Sequence, residues 1–208
     1  MQEEKKTEDG LPEDSAPAQK TPAAGALWIM ALDWLQALVW SVVIVALSFT
    51  FGLRLIGVEG NSMEPTLYDG DMLLVRSSLW GEPHCGDIVV LRKDAFVEMP
   101  IVKRVIATEG QTIDIDFSTG TVTLDGEVLE EPYLKEPTLT AGDMTFPFTV
   151  SPGCIFVMGD HRSESTDSRW TWLGEVDCRY VLGKAVWLIF PGPDESGRAA
   201  FGRIGGLN

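Results

Sequence analysis

Histidine and cysteine are scarce in this 208-residue sequence, which limits the chemistry that it can carry. There are two histidines, His84 and His161, and three cysteines, Cys85, Cys154 and Cys178, without CxxC spacing. Structural metal sites need more of these ligands at close spacing, so we predict no metal site and no metal cofactor. The shortage of histidine also argues against a Ser–His–Asp protease. A disulfide between two of the cysteines could form outside the cytoplasm, but an odd number of cysteines without a regular spacing favours buried free thiols.

Positive charge is also in short supply. Lysine and arginine number 16 against 31 aspartates and glutamates, which gives a formal net charge of −15. An acidic surface repels a phosphate backbone, so nucleic acid is not expected as a partner. Hydrophobic residues make up 45% of the chain, enough for one domain with a core of its own.

The N-terminal part changes abruptly from polar to apolar. Residues 1–25 contain Leu11 as their one large apolar side chain, which predicts a disordered tail. Residues 34–53, WLQALVWSVVIVALSFTFGL, contain Gln36 as their only strongly polar side chain. A helix of that length spans about 30 Å, the thickness of the hydrocarbon core of a bilayer. We therefore predict a membrane anchor within residues 26–53.

Two other interpretations of this segment remain to be weighed. A buried core helix would be unusually long and apolar on every face. A cleaved signal peptide needs a shorter apolar run and a small-x-small site, which the following residues RLIGV do not offer. The orientation is not decided by charge, because Lys20 precedes the segment and Arg54 follows it.

The remaining residues, 54–208, favour β-structure. Short runs rich in β-branched residues alternate with turn sequences such as Asp69-Gly70 and Asp125-Gly126. Residues 112–129 are typical of a hairpin with its turn at Ser118–Gly120. We predict a mainly β domain, a barrel or a pair of coiled antiparallel sheets, with the Gly- and Pro-rich residues 191–208 wrapping its surface. The predicted strands are 72–76, 87–92, 101–108, 112–116, 121–124, 154–158 and 183–190.

A serine follows the anchor in the segment 60–67, GNSMEPTL. Gly60 permits close approach of a ligand to the backbone, and Pro65 stiffens the chain after Ser62. A serine so placed can expose its hydroxyl group and its own N–H to the same space, as in an oxyanion hole. The ordinary alternative is a serine that caps a turn.

A serine nucleophile needs a base, and lysine can serve if burial lowers its pKa. Lys103 lies in the β-prone run 100–107, PIVKRVIA, on the same face as Ile101 and Val105. Such a lysine is either buried for a chemical reason or reaches solvent along a sheet edge. Arg104 faces the other way and is interpreted as a structural charge.

Polar groups are dense in residues 159–169, GDHRSESTDSR, directly after the apolar run 155–158. This composition favours a structured loop held by ion pairs, although a solvated surface loop has the same composition. Ser165 can orient a lysine ammonium group, and Asp167 with Arg169 can hold the loop rigid.

These three segments, taken in order, resemble the conserved boxes of bacterial type I signal peptidases. The matching patterns are Asn-Ser-Met-x-Pro-Thr-Leu at 61–67, Val-Lys-Arg-Val-Ile at 102–106 and Gly-Asp-x-Arg-x-x-Ser-x-Asp-Ser-Arg at 159–169. Residues 86–90, GDIVV, and 201–205, FGRIG, are similar to further family segments. One N-terminal span and a short domain resemble the single-span members.

The resemblance implies a Ser–Lys dyad serine protease without a cofactor. Ser62 would be the nucleophile and Lys103 the general base, with the Ser62 N–H donating to the oxyanion. Ser165 would hydrogen-bond Lys103. The supporting residues would be Asp160, Arg162, Asp167, Ser168 and Arg169.

The resemblance also implies substrates and a location. Secretory preproteins with small residues at −1 and −3 would be cut, in pockets lined by Val58, Met63 and Val102. The protein would cross the bacterial cell membrane once, near the secretion translocon, with the tail in the cytoplasm and the catalytic domain on the outer face. Gly60 stands where some members have a serine that assists the oxyanion hole, and His161 stands where asparagine is usual.

Two alternatives come from other classes of protein. A self-cleaving repressor also uses a Ser–Lys dyad, but such proteins are soluble and often carry a DNA-binding domain. A catalytically silent homologue would bind preproteins or act as a scaffold, and such relatives generally lose one member of the dyad, whereas this chain has both.

Overall fold

The structure is a computed structural model and describes residues 23–92, 100–194 and 197–207. Its contacts divide the chain into two compact units, Met1–Ile44 and Val45–Asn208. The predicted disordered tail lies outside the described residues up to position 22. Residues 23–25 belong to a helix instead, because they continue its regular backbone.

The N-terminal helix, α1, comprises Ala23–Phe51. Its segment Leu27–Ser48 is long and apolar enough to cross a membrane, and it is the one such helix in the part of the chain that the structure describes. The predicted anchor continued to Leu53, but Leu53 opens a strand. Gly52 donates its N–H to the Ser48 carbonyl at 2.9 Å and closes the last turn. A glycine is a poor helix former, so the helix ends there.

Strands account for the regular structure after the helix, apart from short 3₁₀ turns. Those strands are β1 Leu53–Gly57, β2 Met72–Ser77, β3 Ile88–Leu91, β4 Ile101–Thr108, β5 Thr112–Asp116, β6 Thr121–Leu124, β7 Glu127–Val128, β8 Phe148–Thr149, β9 Cys154–Met158, β10 Val176–Asp177, β11 Val181–Phe190 and β12 Gly205–Gly206. All seven predicted strands are present, and β4, β5, β6 and β9 have the predicted bounds. The sequence missed β1, β7, β8, β10 and β12, four of them only two residues long.

Two antiparallel sheets result, so the predicted mainly β fold is confirmed. The larger sheet has the order β1-β2-β11-β3-β4-β9-β10, with β12 paired to β11, and the smaller has the order β7-β6-β5-β8. The predicted hairpin is present, with Asp116 opposite Thr121 across β5 and β6. In the larger sheet, β3 pairs with residues 101–104 of β4, and β9 pairs with residues 104–108 of the same strand.

The C-terminal segment is tied to the domain rather than loosely wrapped around it. β12 pairs with β11, and Arg203 bonds the buried carboxylate of Asp71 and the Thr66 carbonyl. No disulfide forms among the described residues, which include all three cysteines. Cys85 is exposed and the other two cysteines are half-buried, so the predicted burial of all three is wrong.

Candidate active site

Ser62 lies in the connection between β1 and β2. Gly60 has φ +84°, a left-handed conformation that favours glycine, and its N–H donates to Asp69 Oδ1 at 2.8 Å. Just after the serine, Met63 and Leu67 are buried in the hydrophobic core and hold the connection against it. Ser62 is thereby held at the surface of the core, where it is half-exposed.

Lys103 reaches Ser62 from the middle of β4. Its Nζ lies 2.6 Å from Ser62 Oγ, and the lysine is 4% exposed. Burial is the main reason that the pKa of Lys103 is lowered from 10.5 to about 8; Arg169 lowers it further, while the charges of Asp167 and Asp160 oppose the shift. The alternative of a lysine that reaches solvent along a sheet edge is wrong, because Lys103 is buried.

The loop 159–169 packs behind this pair. Asp160 is fully buried and accepts two hydrogen bonds from Arg104, at 2.8 and 2.7 Å. Thr66 donates to the same carboxylate at 2.5 Å and so connects the loop to the serine segment. The alternative of a solvated loop is wrong, since eight of the eleven residues 159–169 are buried.

Two further ion pairs fix the loop. Asp167 and Arg169 are buried and bonded to each other at 2.8 Å. Burial by itself raises the pKa of Asp167, but hydrogen bonds and the charge of Arg169 outweigh it, so that the pKa lies below its ordinary value. Arg162 pairs with Glu131, and both side chains are buried. Ser168 Oγ accepts a hydrogen bond from the Val157 N–H at 3.0 Å and joins the loop to β9.

Ser165 is buried beside the dyad, but the expected hydrogen bond to Lys103 is not formed. Its side chain lies beside the Asp167 carboxylate instead and helps to lower the pKa of that group. A Cβ built on Gly159 would lie 2.3 Å from Ser165 Oγ and 2.4 Å from the Ser62 carbonyl oxygen. The loop therefore approaches the serine segment as closely as it does only because position 159 is glycine.

A cavity of about 150 Å³ opens beside the dyad. Its lining includes the two dyad residues and is otherwise largely apolar. The lining residues are Glu59, Ser62, Met63, Pro100, Ile101, Val102 and Lys103. Two of the three predicted pocket residues, Met63 and Val102, line it, whereas Val58 is buried in the core and is not part of the lining.

Several residues of the site were not singled out in the sequence. Thr66 and Gly159 lie inside the segments that resemble the family boxes. The sequence could therefore place them near the site, but it could not predict which atoms they contact. Glu131, the partner of Arg162, lies in an irregular stretch between strands that carries no pattern. Within the described ranges, no three His, Cys, Asp or Glu side chains are grouped as metal ligands.

The comparisons with known proteins agree with this geometry. The family model described as signal peptidase, peptidase S26, matches residues 31–190, which is most of the chain and includes the serine, the lysine and the loop. The chain belongs to the signal peptidase family. It is a serine endopeptidase of the signal peptidase I type.

Curated relatives are similar over most of their length. Signal peptidase I of Bacillus licheniformis is 36% identical over 169 residues, 76% of this chain and 88% of the relative. Signal peptidase I T of Bacillus subtilis is 34% identical over 170 residues, 77% of this chain and 86% of the relative. A solved signal peptidase I from Enterococcus faecalis is 27% identical, with a TM-score of 0.43, over 50% of this chain and 97% of that one.

Proposed function

We propose that the chain removes N-terminal signal peptides from secretory preproteins with a dyad of Ser62 and Lys103. The observation that supports this most directly is the 2.6 Å contact between a buried lysine and a half-exposed serine. Burial brings the pKa of Lys103 to about 8, so a useful fraction of the amine is neutral near physiological pH.

Catalysis proceeds in two steps. Neutral Lys103 takes the proton of Ser62 as Oγ forms a bond to the scissile carbonyl carbon, and the carbonyl oxygen becomes an oxyanion. Lys103 then gives the proton to the leaving amine, the scissile C–N bond breaks, and an acyl-enzyme remains on Ser62. A water molecule, deprotonated by the same lysine, hydrolyses the ester and restores the dyad.

The oxyanion needs a donor, and the Ser62 N–H is the candidate. No described residue accepts a hydrogen bond from this N–H, which leaves it available to a substrate oxygen. Gly60 has no side chain to contribute, so the hole depends on backbone donors.

The cavity beside the dyad accounts for the choice of cleavage site. Its lining is largely apolar, and its volume of about 150 Å³ is enough for the small side chains of positions −1 and −3 at once. Met63 and Val102 therefore favour small residues at −1 and −3 of the preprotein.

The same proposal covers the membrane. Helix α1 crosses the bacterial cell membrane once and places the catalytic domain on its outer face, near the translocon from which preproteins emerge. Exposed Cys85 offers a test of orientation, because a membrane-impermeant maleimide should label it in intact spheroplasts. Labelling that appears only after lysis would contradict the orientation. Labelling that persists in Cys85→Ser would show that the maleimide reacts with another cysteine.

The dyad is tested by cleavage of a preprotein with an Ala-x-Ala site, with the full chain in detergent or liposomes. Wild type should cut after the −1 alanine. Ser62→Ala and Lys103→Met should each lose about a thousandfold or more in kcat/KM, and the double variant should lose little beyond that, because the two residues act as a unit.

Lys184→Met is the matched control. Lys184 lies on β11, pairs with Asp87 and is not part of the site, so activity should be retained. Near-normal activity of Lys103→Met would overturn the choice of base. A wild type that is inert on several preproteins would instead favour the catalytically silent homologue.

A further inference from the structure

We propose that His161 positions the oxyanion hole by fixing the peptide unit between Asn61 and Ser62. This inference rests on the proposed function of the dyad. It concerns a residue that is buried within the loop 159–169 and that takes no part in the proton transfers described above.

The imidazole of His161 contacts the carbonyl oxygen next to the nucleophile. Its Nδ1 lies 3.2 Å from the oxygen of Asn61. A carbonyl oxygen only accepts hydrogen bonds, so Nδ1 must carry a proton in this contact, whether the ring is neutral or charged. The backbone N–H of His161 also donates to the Ser62 carbonyl at 3.1 Å, so the residue holds two successive peptide units of the serine segment.

The geometry of a trans peptide transmits this contact to the oxyanion hole. The C=O of Asn61 and the N–H of Ser62 belong to one planar peptide unit and point in opposite directions. A donor that fixes the carbonyl therefore fixes the direction of the N–H. It also polarises the peptide and makes that N–H a stronger donor to a developing negative charge.

One backbone donor shares the same carbonyl. The N–H of Glu64 donates to the Asn61 oxygen at 3.1 Å, and a carbonyl oxygen accepts two hydrogen bonds. Loss of the imidazole therefore leaves one of the two donors in place. The effect expected on catalysis is accordingly moderate, and the serine segment keeps its turn.

Carboxylates face both nitrogens of the ring. Glu64 Oε2 lies 3.8 Å from Nδ1, and Glu136 Oε2 lies 3.6 Å from Nε2. With Nδ1 committed to the carbonyl, Nε2 is the nitrogen that faces Glu136. The ring therefore lies between two carboxylates, which keep Nδ1 directed at the peptide unit.

The other charged groups around the ring have partners of their own. Lys135 bonds Glu64 at 2.7 Å and partly neutralises it. Within the loop, Asp160 is paired with Arg104, and Arg162 is paired with Glu131. Glu136 in turn accepts hydrogen bonds from the N–H of Ser163 at 2.8 Å and from its hydroxyl group at 3.1 Å, which hold the carboxylate beside the ring.

The experiment measures kcat and KM separately for the full chain on the Ala-x-Ala preprotein. His161→Ala should lower kcat by up to about tenfold, the size of effect expected from one hydrogen bond, with KM nearly unchanged. His161→Asn should recover most of kcat, because its side-chain N–H can replace Nδ1–H. His84→Ala, which alters the exposed histidine, should match wild type.

A variant that fills the same space without a hydrogen-bond donor separates positioning from a packing role. His161→Leu should lose about as much kcat as His161→Ala, whereas His161→Asn, whose side chain carries an N–H, should not.

Three results would overturn the inference while the dyad stands. They are full kcat in His161→Ala, a loss confined to KM, and equal kcat in His161→Leu and His161→Asn. If His161→Ala does not fold, the leucine and asparagine variants still decide, because both keep the site filled. An inert wild type, in contrast, would refute the proposed function itself.

Discussion

The protonation state of one side chain, Lys103, sets the pH range in which the dyad can work. Folding removes the amine from water, and its pKa falls from 10.5 to about 8. A base acts only when it is neutral, so the pH dependence of activity should report this value directly.

We expect kcat/KM on the Ala-x-Ala preprotein to rise about tenfold per pH unit below pH 8 and to level off above it. The sign follows from a lowered pKa, since the charged form that predominates at low pH cannot take the serine proton. Rates measured from pH 6 to 10 test this. A profile that is flat, or that continues to rise towards pH 10.5, would contradict the assignment of Lys103 as a buried base.

Gly159 is a second residue on which the site depends. A methyl group there would meet the Ser62 carbonyl oxygen at 2.4 Å, a distance that the backbone can relieve only by moving. We expect Gly159→Ala to lower kcat by at least about tenfold, because a shift of around 1 Å misplaces the nucleophile. Gly202→Ala, where a Cβ meets no atom within 4 Å, is the control and should keep normal activity.

At the scale of elements, ion pairs rather than hydrogen-bonded strands give the loop 159–169 its shape. Arg162 and Glu131 connect it to the irregular stretch after β7, with side chains 0% and 5% exposed. A charge buried to this degree is stable only while its partner is present. The loop therefore has a single arrangement, and that arrangement keeps Asp160 and Ser165 beside the dyad.

Arg162→Met should destabilise the domain by about 3–5 kcal/mol, because Glu131 is left buried without its partner. In thermal unfolding this corresponds to a midpoint lower by about 10 °C. Arg179→Met makes the same substitution in a pair whose arginine side chain is 85% exposed, and the midpoint should not change measurably. If the two variants lowered the unfolding midpoint equally, the burial of the pair Arg162–Glu131 would not be the reason for the loss of stability.

At the scale of the whole molecule, helix α1 should keep the protein in the membrane. Most of its side chains between Leu27 and Ser48 are apolar. A helix of this kind is stable in lipid, because its backbone hydrogen bonds are all formed within the helix. We expect the full chain to remain in the membrane pellet after an alkaline carbonate wash and to need detergent for extraction.

Charge at the middle of the helix should reverse this behaviour. Leu38→Arg with Val42→Arg introduces two costs of about 2.5–3.5 kcal/mol each at the centre of a bilayer. This variant should appear in the carbonate supernatant, whereas Leu38→Ile with Val42→Ile should not. Release of the unaltered chain by carbonate would refute the anchor.

Local patterns determined the longer elements. Strands such as β4 and β5 have a high density of β-branched residues between turn sequences, so the sequence located them to the residue. The two-residue strands β7, β8, β10 and β12 have no such pattern and exist because a partner strand is adjacent. β1 was hidden because its residues, LRLIG, continue the apolar run of the helix.

The sequence by itself determined the kinds of chemical group in the site. Ser62, Lys103 and the polar loop were recognisable from residue types and their order along the chain. Tertiary structure alone decided that 2.6 Å separates Ser62 Oγ from Lys103 Nζ, that Lys103 is buried and does not reach solvent, and that Val58 belongs to the core and not to the pocket. The physical reason is that a pKa, an ion pair and a cavity depend on which segments pack together, and Ser62, Lys103 and Gly159 are far apart in the chain.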